Sequence, residues 1–260
     1  MNGSARRGEI RDLLQVRPIA VAELAERYGV SESTIRRDLT TLSESGQIVR
    51  TYGGALSHAT GEEQTLHERA GLAVPQKAAI ARAAEAHVAG CHMVLLDAGT
   101  TVGALAGRLA ARGGLTVATP GLTSINILAG VPGIELIVLG GSVRQLSLGM
   151  VGPLAEAAVS RLTADAVFLG ADGVVAGRGI CEASPEQSTL KQLMIDRSRD
   201  VHVLADAGKL GRADSHWWSA FERPWTLITD AGASEEQLAP FRADPLCTLQ
   251  VAGQTARQTG

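Results

Sequence analysis

From Gln76 onward, short apolar runs alternate with helical stretches, and nearly every run ends in a turn rich in Gly, Asp or Thr. Helical spacing covers 78–88, and Met93-Val94-Leu95-Leu96 reads as a strand. A helix over 102–111, a strand over 115–119 and a helix starting near Leu122 follow. Further strands are expected at 134–139, 166–170, 201–205, 225–229 and 246–251, with helices at 154–162 and 187–197. Strands apolar on both faces and separated by helices imply a mostly parallel sheet covered on both sides. In such sheets ligands collect beyond the carboxyl ends of the strands, so function is sought in the turns that follow them.

Those turns carry chemistry. Asp97-Ala98-Gly99-Thr100-Thr101 opens directly into a helix. There a glycine lets the backbone come close, and unpaired N–H groups with the helix dipole favour an anion. Gly99, Thr100 and Thr101 are therefore candidate phosphate contacts; Asp97 either joins them or caps its helix. Thr119-Pro120-Gly121 forms the next strand end, and Gly140-Gly141 reads first as a turn, with Gly141 a secondary ligand candidate. Gly170-Ala171-Asp172-Gly173 sets a carboxylate after a strand, where it could hold sugar hydroxyls or bridge backbone groups. Asp206-Ala207-Gly208-Lys209 offers a lysine, and Lys191 can point the same way from the preceding helix. No G-x-G-x-x-G or G-x-x-x-x-G-K-[ST] pattern occurs, so neither NAD nor ATP is indicated and no cofactor is expected.

The formal net charge is −3, and the first fifty-six residues hold eight Arg and no Lys against seven Asp and Glu. A nucleic-acid role therefore depends on where the arginines point. Cys91, Cys181 and Cys247 are three thiols without paired spacing, which suits a reducing cytosol. The six histidines pair with no Cys or carboxylate motif, so no metal or catalytic site is expected. Trp217-Trp218 and Phe221 read as packing for a loop or an oligomer contact. There is neither an apolar run long enough for a membrane span nor a signal-peptide core after Arg6-Arg7, so a cytoplasmic protein is expected.

Ahead of this domain lie three short helical patterns. Ile10, Leu13 and Leu14 share a face before Pro18. A second helix, Val21 to Tyr28, buries Leu24, Ala25 and Tyr28 and stops at Gly29. The third begins after Val30 with Ser31 as N-cap, and Ile35, Leu39 and Leu42 form its buried stripe. At 100° per residue the opposite face carries Ser33, Arg36, Arg37 and Thr40. The short connection is that of a helix-turn-helix, and such a helix fits the major groove. Arg reads guanine or clamps phosphate there, and hydroxyls donate to either. After Gly46 a strand runs over 47–52, with Gly53-Gly54 as its turn. A hairpin there is a wing that sets Arg50 and Tyr52 beside the DNA backbone.

The stretches Val21-Ala22-Glu23-Leu24-Ala25, Tyr28-Gly29-Val30-Ser31 and Ser33-Thr34-Ile35-Arg36-Arg37-Asp38-Leu39 closely resemble the N-terminal domain of the DeoR family of bacterial repressors. So does the wing run Arg50-Thr51-Tyr52-Gly53-Gly54-Ala55, with Tyr52 where family members usually carry His. The resemblance spans residues 5–252 and includes Asp97–Thr101, Gly140-Gly141, Val151-Gly152-Pro153, Gly170–Gly173 and Asp206–Lys209. Pro120-Gly121 stands where the family has Asn and Ser, and Ser184 and Thr189 stand where it tends to acidic residues. The resemblance implies a winged helix-turn-helix over 1–57 and an α/β sensor domain similar to ribose phosphate isomerase over 76–252; the mixed, polar stretch 58–75 reads as a linker or a short helix between them, and 253–260 as a disordered tail. The resemblance also implies a repressor of carbohydrate genes, binding operator DNA and a phosphorylated sugar or related metabolite as a homo-oligomer.

The expected DNA contacts are Ser31, Ser33, Thr34, Arg36, Arg37, Thr40, Arg50, Thr51 and Tyr52. The expected effector contacts are Asp97, Gly99, Thr100, Thr101, Thr119, Gly141, Asp172, Lys191 and Lys209. The rival reading is a sugar phosphate isomerase-like enzyme with Asp172 as base and Lys209 as its electrostatic partner. Against it, Val174 and Val175 stand where a second carboxylate would be offered.

Overall fold

The computed structural model describes residues 6–10, 13, 19–44, 49–51, 54–56 and 65–253. It divides into two compact units, Met1–Glu62 and Glu63–Gly260. Pro18, Gly46, Tyr52, Gly53 and the expected tail beyond Gly253 lie outside the described residues.

In the first unit, residues 6–10 are helical, followed by α1 (Val21–Tyr28) and α2 (Glu32–Glu44). Ile10, Val21, Leu24, Ala25, Ile35 and Leu39 form its core, with Leu13, Tyr28 and Val30 packed at the margin. The i, i+4 pair Ile35 and Leu39 thus buries the face expected from its spacing. Ser31 caps α2, its hydroxyl accepting the Thr34 N–H at 3.2 Å. Asp38 is buried on α2 and accepts from Arg6 Nε at 2.6 Å and Arg7 Nη1 at 3.3 Å, which ties the first helical residues to this helix. β1 (Ile19–Ala20), β2 (Val49–Thr51) and β3 (Gly54–Leu56) make a small antiparallel sheet in the order β1-β3-β2. Its β2–β3 pairing, Val49 opposite Leu56 and Thr51 opposite Gly54, is the hairpin of a wing.

The second unit opens with α3 (Leu66–Gly71), so the stretch that reads as a linker or a short helix contains a helix. Thr65 and Glu68 form a reciprocal capping box: the Thr65 hydroxyl accepts the Glu68 N–H, and the Glu68 carboxylate accepts the Thr65 N–H at 2.8 Å. That cap starts a helix too short to show a period. α4 (Val74–Glu85) follows, with Pro75 in its first turn.

Next come β4 (Met93–Leu96), α5 (Thr100–Leu109), β5 (Leu115–Thr119), α6 (Leu122–Leu128) and β6 (Ile134–Val138). A hairpin of β7 (Ser142–Arg144) and β8 (Gly149–Val151) leads to α7 (Pro153–Val159) and β9 (Ala164–Leu169). Then follow β10 (Gly173–Val175), β11 (Gly179–Glu182), α8 (Pro185–Asp196), β12 (Ser198–Leu204) and β13 (Trp217–Ser219). The unit ends with β14 (Trp225–Thr229), α9 (Glu235–Ala243) and β15 (Cys247–Val251).

Seven strands form one sheet in the order β15-β14-β12-β9-β4-β5-β6, and every pairing in it is parallel. Alternate residues face opposite sides. Val94, Leu96, Phe168 and Leu204 pack towards α4 and α5; Leu95, Val167, Leu169 and Val203 pack with residues of α7, α8 and α9. The strand order reverses between β4 and β9, a switch point that leaves a crevice beyond their carboxyl ends. Two antiparallel additions stand outside the sheet, β7-β8 and β10-β11-β13. Trp218 of β13 lies under the Arg178 guanidinium at 3.7 Å, and Phe221 stacks on Trp225 at 4.4 Å. No helix among the described residues is long and apolar enough to cross a membrane.

Candidate functional site

On α2, Ser31, Ser33, Arg36 and Arg37 are exposed, opposite buried Ile35 and Leu39. Ser31 Oγ also lies 2.8 Å from Ser33 Oγ and 2.9 Å from Thr34 Oγ1, so the three hydroxyls cluster at the helix start. Arg36 pairs one turn back with Glu32 at 2.6 Å, which holds its guanidinium over this face. Thr40, Arg50 and Thr51 are described in backbone only, and Tyr52 lies outside the described residues. The helix therefore presents hydroxyls and guanidiniums on one solvent face, the donor set that reads base edges and phosphates.

At the switch point of the second unit, Asp97 is buried as β4 ends. Its Oδ2 accepts the Gly170 N–H at 3.0 Å, fastening the end of β4 to that of β9. Gly99 follows with φ +136°, a conformation that favours glycine, and acts as the N-cap of α5 without supplying a side chain. The N–H groups at the start of α5 thus face outward without a side-chain cap, beside the hydroxyls of Thr100 and Thr101. They line a pocket of about 200 Å³, below the ~300–1,000 Å³ of sites for drug-sized ligands and suited to a small metabolite.

Its floor is a buried ion cluster. Lys191 Nζ donates to Gly170 O at 2.8 Å, reaches Asp97 Oδ2 at 3.0 Å and contacts Glu182 Oε1. Two hydrogen bonds and an ion pair thus engage the ammonium inside the protein. Two carboxylates, with Asp172 nearby, surround one cation away from water. Burial, with help from Asp172 and Asp97, pushes the Glu182 carboxyl up to about 8 against the pull of Lys191. Burial alone would discharge Lys191, but Asp97 and Glu182 outweigh it and hold the ammonium charged.

One wall comes from α3 and α4. Arg69 Nη1 pairs with Asp172 Oδ1 at 3.3 Å, while Asp172 Oδ2 accepts the Ala183 N–H at 3.2 Å. Lys77 donates to the carbonyls of Arg69 and Leu72, closing the carboxyl end of α3. The Leu66 N–H donates to Leu146 O at 2.6 Å, which brings the β7–β8 loop and Ser147 to the same wall. Opposite stands Lys209, at the end of a single 3₁₀ turn (Ala207–Lys209) capped by Asp206. Its ammonium has no hydrogen bond or ion pair among the described residues. Burial lowers its pKa, with Arg212 and Arg69 adding to that and Asp172 and Asp206 opposing it. Five basic side chains (Arg69, Lys77, Lys191, Lys209, Arg212) and three acidic ones (Asp172, Glu182, Asp206) line the pocket. The balance favours an anion.

The structure brings Gly99, Thr100, Thr101, Asp172, Lys191 and Lys209 together. Asp97 sits just behind Lys191 and is engaged internally. Thr119 and Gly141 do not line the pocket. Thr119 is fully buried and its Oγ1 accepts the Gly121 N–H at 3.0 Å. Gly141 has φ +109°, and a Cβ there would meet Val151 O at 2.5 Å, so its place is a tight hairpin crossing. Arg69, Lys77, Ser147, Glu182, Gln187 and Arg212 line the pocket without having stood out in sequence. For Arg69 and Lys77 the T-x-x-E cap at Thr65 was the available signal; for Ser147 and Gln187 there was none.

The comparisons with known proteins agree with this division. Residues 6–60 match the DeoR-like helix-turn-helix domain, and residues 73–231 match the DeoR C terminal sensor domain. The Transcriptional repressor AccR of Agrobacterium fabrum is 33% identical, over 87% of this chain and 89% of its own. The HTH-type transcriptional regulator GolR of Listeria innocua is 34% identical, over 86% and 89%. The Glycerol-3-phosphate regulon repressor of Escherichia coli is 29% identical, over 75% and 77%. Among solved structures, ribose 5-phosphate isomerase A from Methanocaldococcus jannaschii aligns with a TM-score of 0.38 at 18% identity, over 51% of this chain and 52% of that one. With an exposed donor face on a helix-turn-helix, an anion-suited pocket at a sheet switch point and both family domains in order, this chain belongs to the DeoR family of transcriptional regulators.

Proposed function

We propose that the protein represses carbohydrate genes and that a phosphorylated sugar or related metabolite in the second unit alters its grip on operator DNA. The observation that carries the effector half is Lys209: a half-buried ammonium with no partner among the described residues, in the same pocket as the uncapped start of α5. A phosphate meets both demands at once. Gly99, Thr100, Thr101 and Lys209 hold it, Asp172 contacts the sugar, and Asp97 with Lys191 keeps the floor in place. The similarity to a glycerol-3-phosphate regulon repressor supports this chemistry.

In the DNA half, Ser33, Thr34, Arg36, Arg37 and Thr40 enter the major groove behind the Ser31 cap. Arg50, Thr51 and Tyr52 set the wing on phosphates. A symmetric homo-oligomer in the cytoplasm places two such helices about 34 Å apart on repeated half-sites. The site works as a receptor and not as an enzyme: both Asp172 oxygens already have partners, Arg69 and the Ala183 N–H, which disfavours a general base there.

The test is a titration of the full chain against labelled DNA from its own upstream region, at fixed salt, with and without sugar phosphates. Specific binding shifted by one phosphorylated sugar is the expected result. Equal affinity for random duplex would remove the repressor reading, and measurable aldose–ketose conversion would restore the enzyme.

A further inference from the structure

Two buried side-chain oxygens in this pocket have no hydrogen-bond partner among the described residues: Ser147 Oγ and Gln187 Oε1. Ser147 is 3% exposed and Gln187 7%, and both residues line the pocket. Buried side-chain oxygens left unsatisfied are uncommon in folded proteins and cost stability, so each calls for a reason. The two come from different elements. Gln187 is at the third position of α8, one turn before Lys191 and on the same face, above the ion cluster. Ser147 sits in the β7–β8 loop beside Gly149, which packs on Ala98 at the phosphate turn. The anion-facing groups, the start of α5 and Lys209, are therefore joined by a neutral polar pair that nothing among the described residues satisfies.

We infer that Ser147 and Gln187 are the specificity-determining residues of the effector site, and that they read hydroxyl groups on a phosphorylated polyhydroxy compound. This rests on the effector-pocket reading and narrows it. A carboxamide oxygen accepts only, so it needs a ligand donor, which a fully ionised phosphate cannot supply and a hydroxyl can. A hydroxyl also serves Ser147 in either direction. Bare phosphate, or a phosphorylated group with an alkyl tail, fills the anion end and leaves the Gln187 oxygen without a donor. A site with buried hydrogen-bonding groups rejects ligands lacking the matching group strongly.

The test is isothermal titration of the full chain, at fixed salt and pH, with inorganic phosphate, propyl phosphate, glycerol 3-phosphate and fructose 6-phosphate. The expected result is that at least one hydroxylated phosphate binds about tenfold or more tighter than propyl phosphate. Gln187→Leu and Ser147→Ala then each reduce that preference severalfold and leave inorganic phosphate binding unchanged. Both variants melt no lower than the parent, since each removes an unsatisfied buried oxygen; a purely structural role would lower the melting temperature. Should Gln187→Leu fail to fold, Ser147→Ala carries the same comparison. Equal affinity for all four phosphates, or a preference that survives in the variants, overturns the hydroxyl reading and leaves the anion pocket standing. Binding of none of the four overturns both.

Discussion

Lys191 and Lys209 line the same pocket within eighteen residues of one another, yet they live in opposite electrostatic worlds. On the floor, Lys191 has a carbonyl and two carboxylates around its ammonium and is held charged. At the mouth, Lys209 has no such partner among the described residues, and burial depresses its pKa. A lysine whose charge is met inside the protein positions the backbone; one left with unmet charge is available to a ligand. The same division separates Asp97 and Thr119, both engaged internally, from Thr100 and Thr101 at the open helix start.

The largest effect expected from this contrast is on stability. Lys191→Met leaves Asp97 and Glu182 facing each other in a buried site and should lower the unfolding free energy by about 3–5 kcal/mol, read by urea denaturation. A loss below 1 kcal/mol would place Lys191 with the mouth residues.

The next is a pH effect. The Glu182 carboxyl titrates near 8 in the folded chain against 4.5 as its ordinary value. The folded state then binds the extra proton, so stability should fall as pH rises from about 4.5 to 8, by on the order of a few kcal/mol. Glu182→Gln should flatten that part of the stability–pH curve, and an unchanged slope would show that the carboxyl is ionised in the fold.

Third, Lys209→Met should leave stability within about 1 kcal/mol and weaken phosphate binding by roughly ten- to a hundredfold, as expected for loss of one charge-assisted contact. Calorimetry with inorganic phosphate measures it. Smallest is Thr119→Val, which orphans the Gly121 N–H and should cost about 1–2 kcal/mol without changing phosphate affinity. A loss of affinity there would return Thr119 to the ligand contacts.

The frame was legible for a physical reason. Strands buried on both faces must be apolar along their length, so 93–96, 115–119 and 225–229 stood out with the bounds the structure has. The face of α2 was equally plain, because Ile35 and Leu39 one turn apart fix which side is buried and hence that Arg36 and Arg37 are exposed. The short strands 142–144, 149–151, 173–175, 179–182 and 217–219 escaped. Three or four residues show too little period for alternation to be read, even where the pairing is a local hairpin, as in 142–144 with 149–151. The helix Glu235–Ala243 was missed too, with Pro240 inside it and a Ser234–Gln237 capping box as its clearest mark.

Within the site, sequence located the strand-end turns that carry Gly99, Thr100, Thr101, Asp172 and Lys209, since position after an apolar run is a local property. It could not rank Lys191 against Lys209, nor separate Thr119 from Thr100, because each sits on a strand end or adjoining helix and has suitable chemistry. Ranking them requires knowing which protons and lone pairs are already used, and those partners lie up to ninety-four residues away, as between Asp97 and Lys191. Arg69, Ser147 and Gln187 reach the pocket only because α3, the β7–β8 loop and α8 converge beside the switch point. Hydrophobic periodicity, a short-range property written into consecutive residues, determined the layers and the two domains. The division of polar groups into those the fold satisfies and those it leaves for a ligand arises from long-range contacts, and only the tertiary structure decided it.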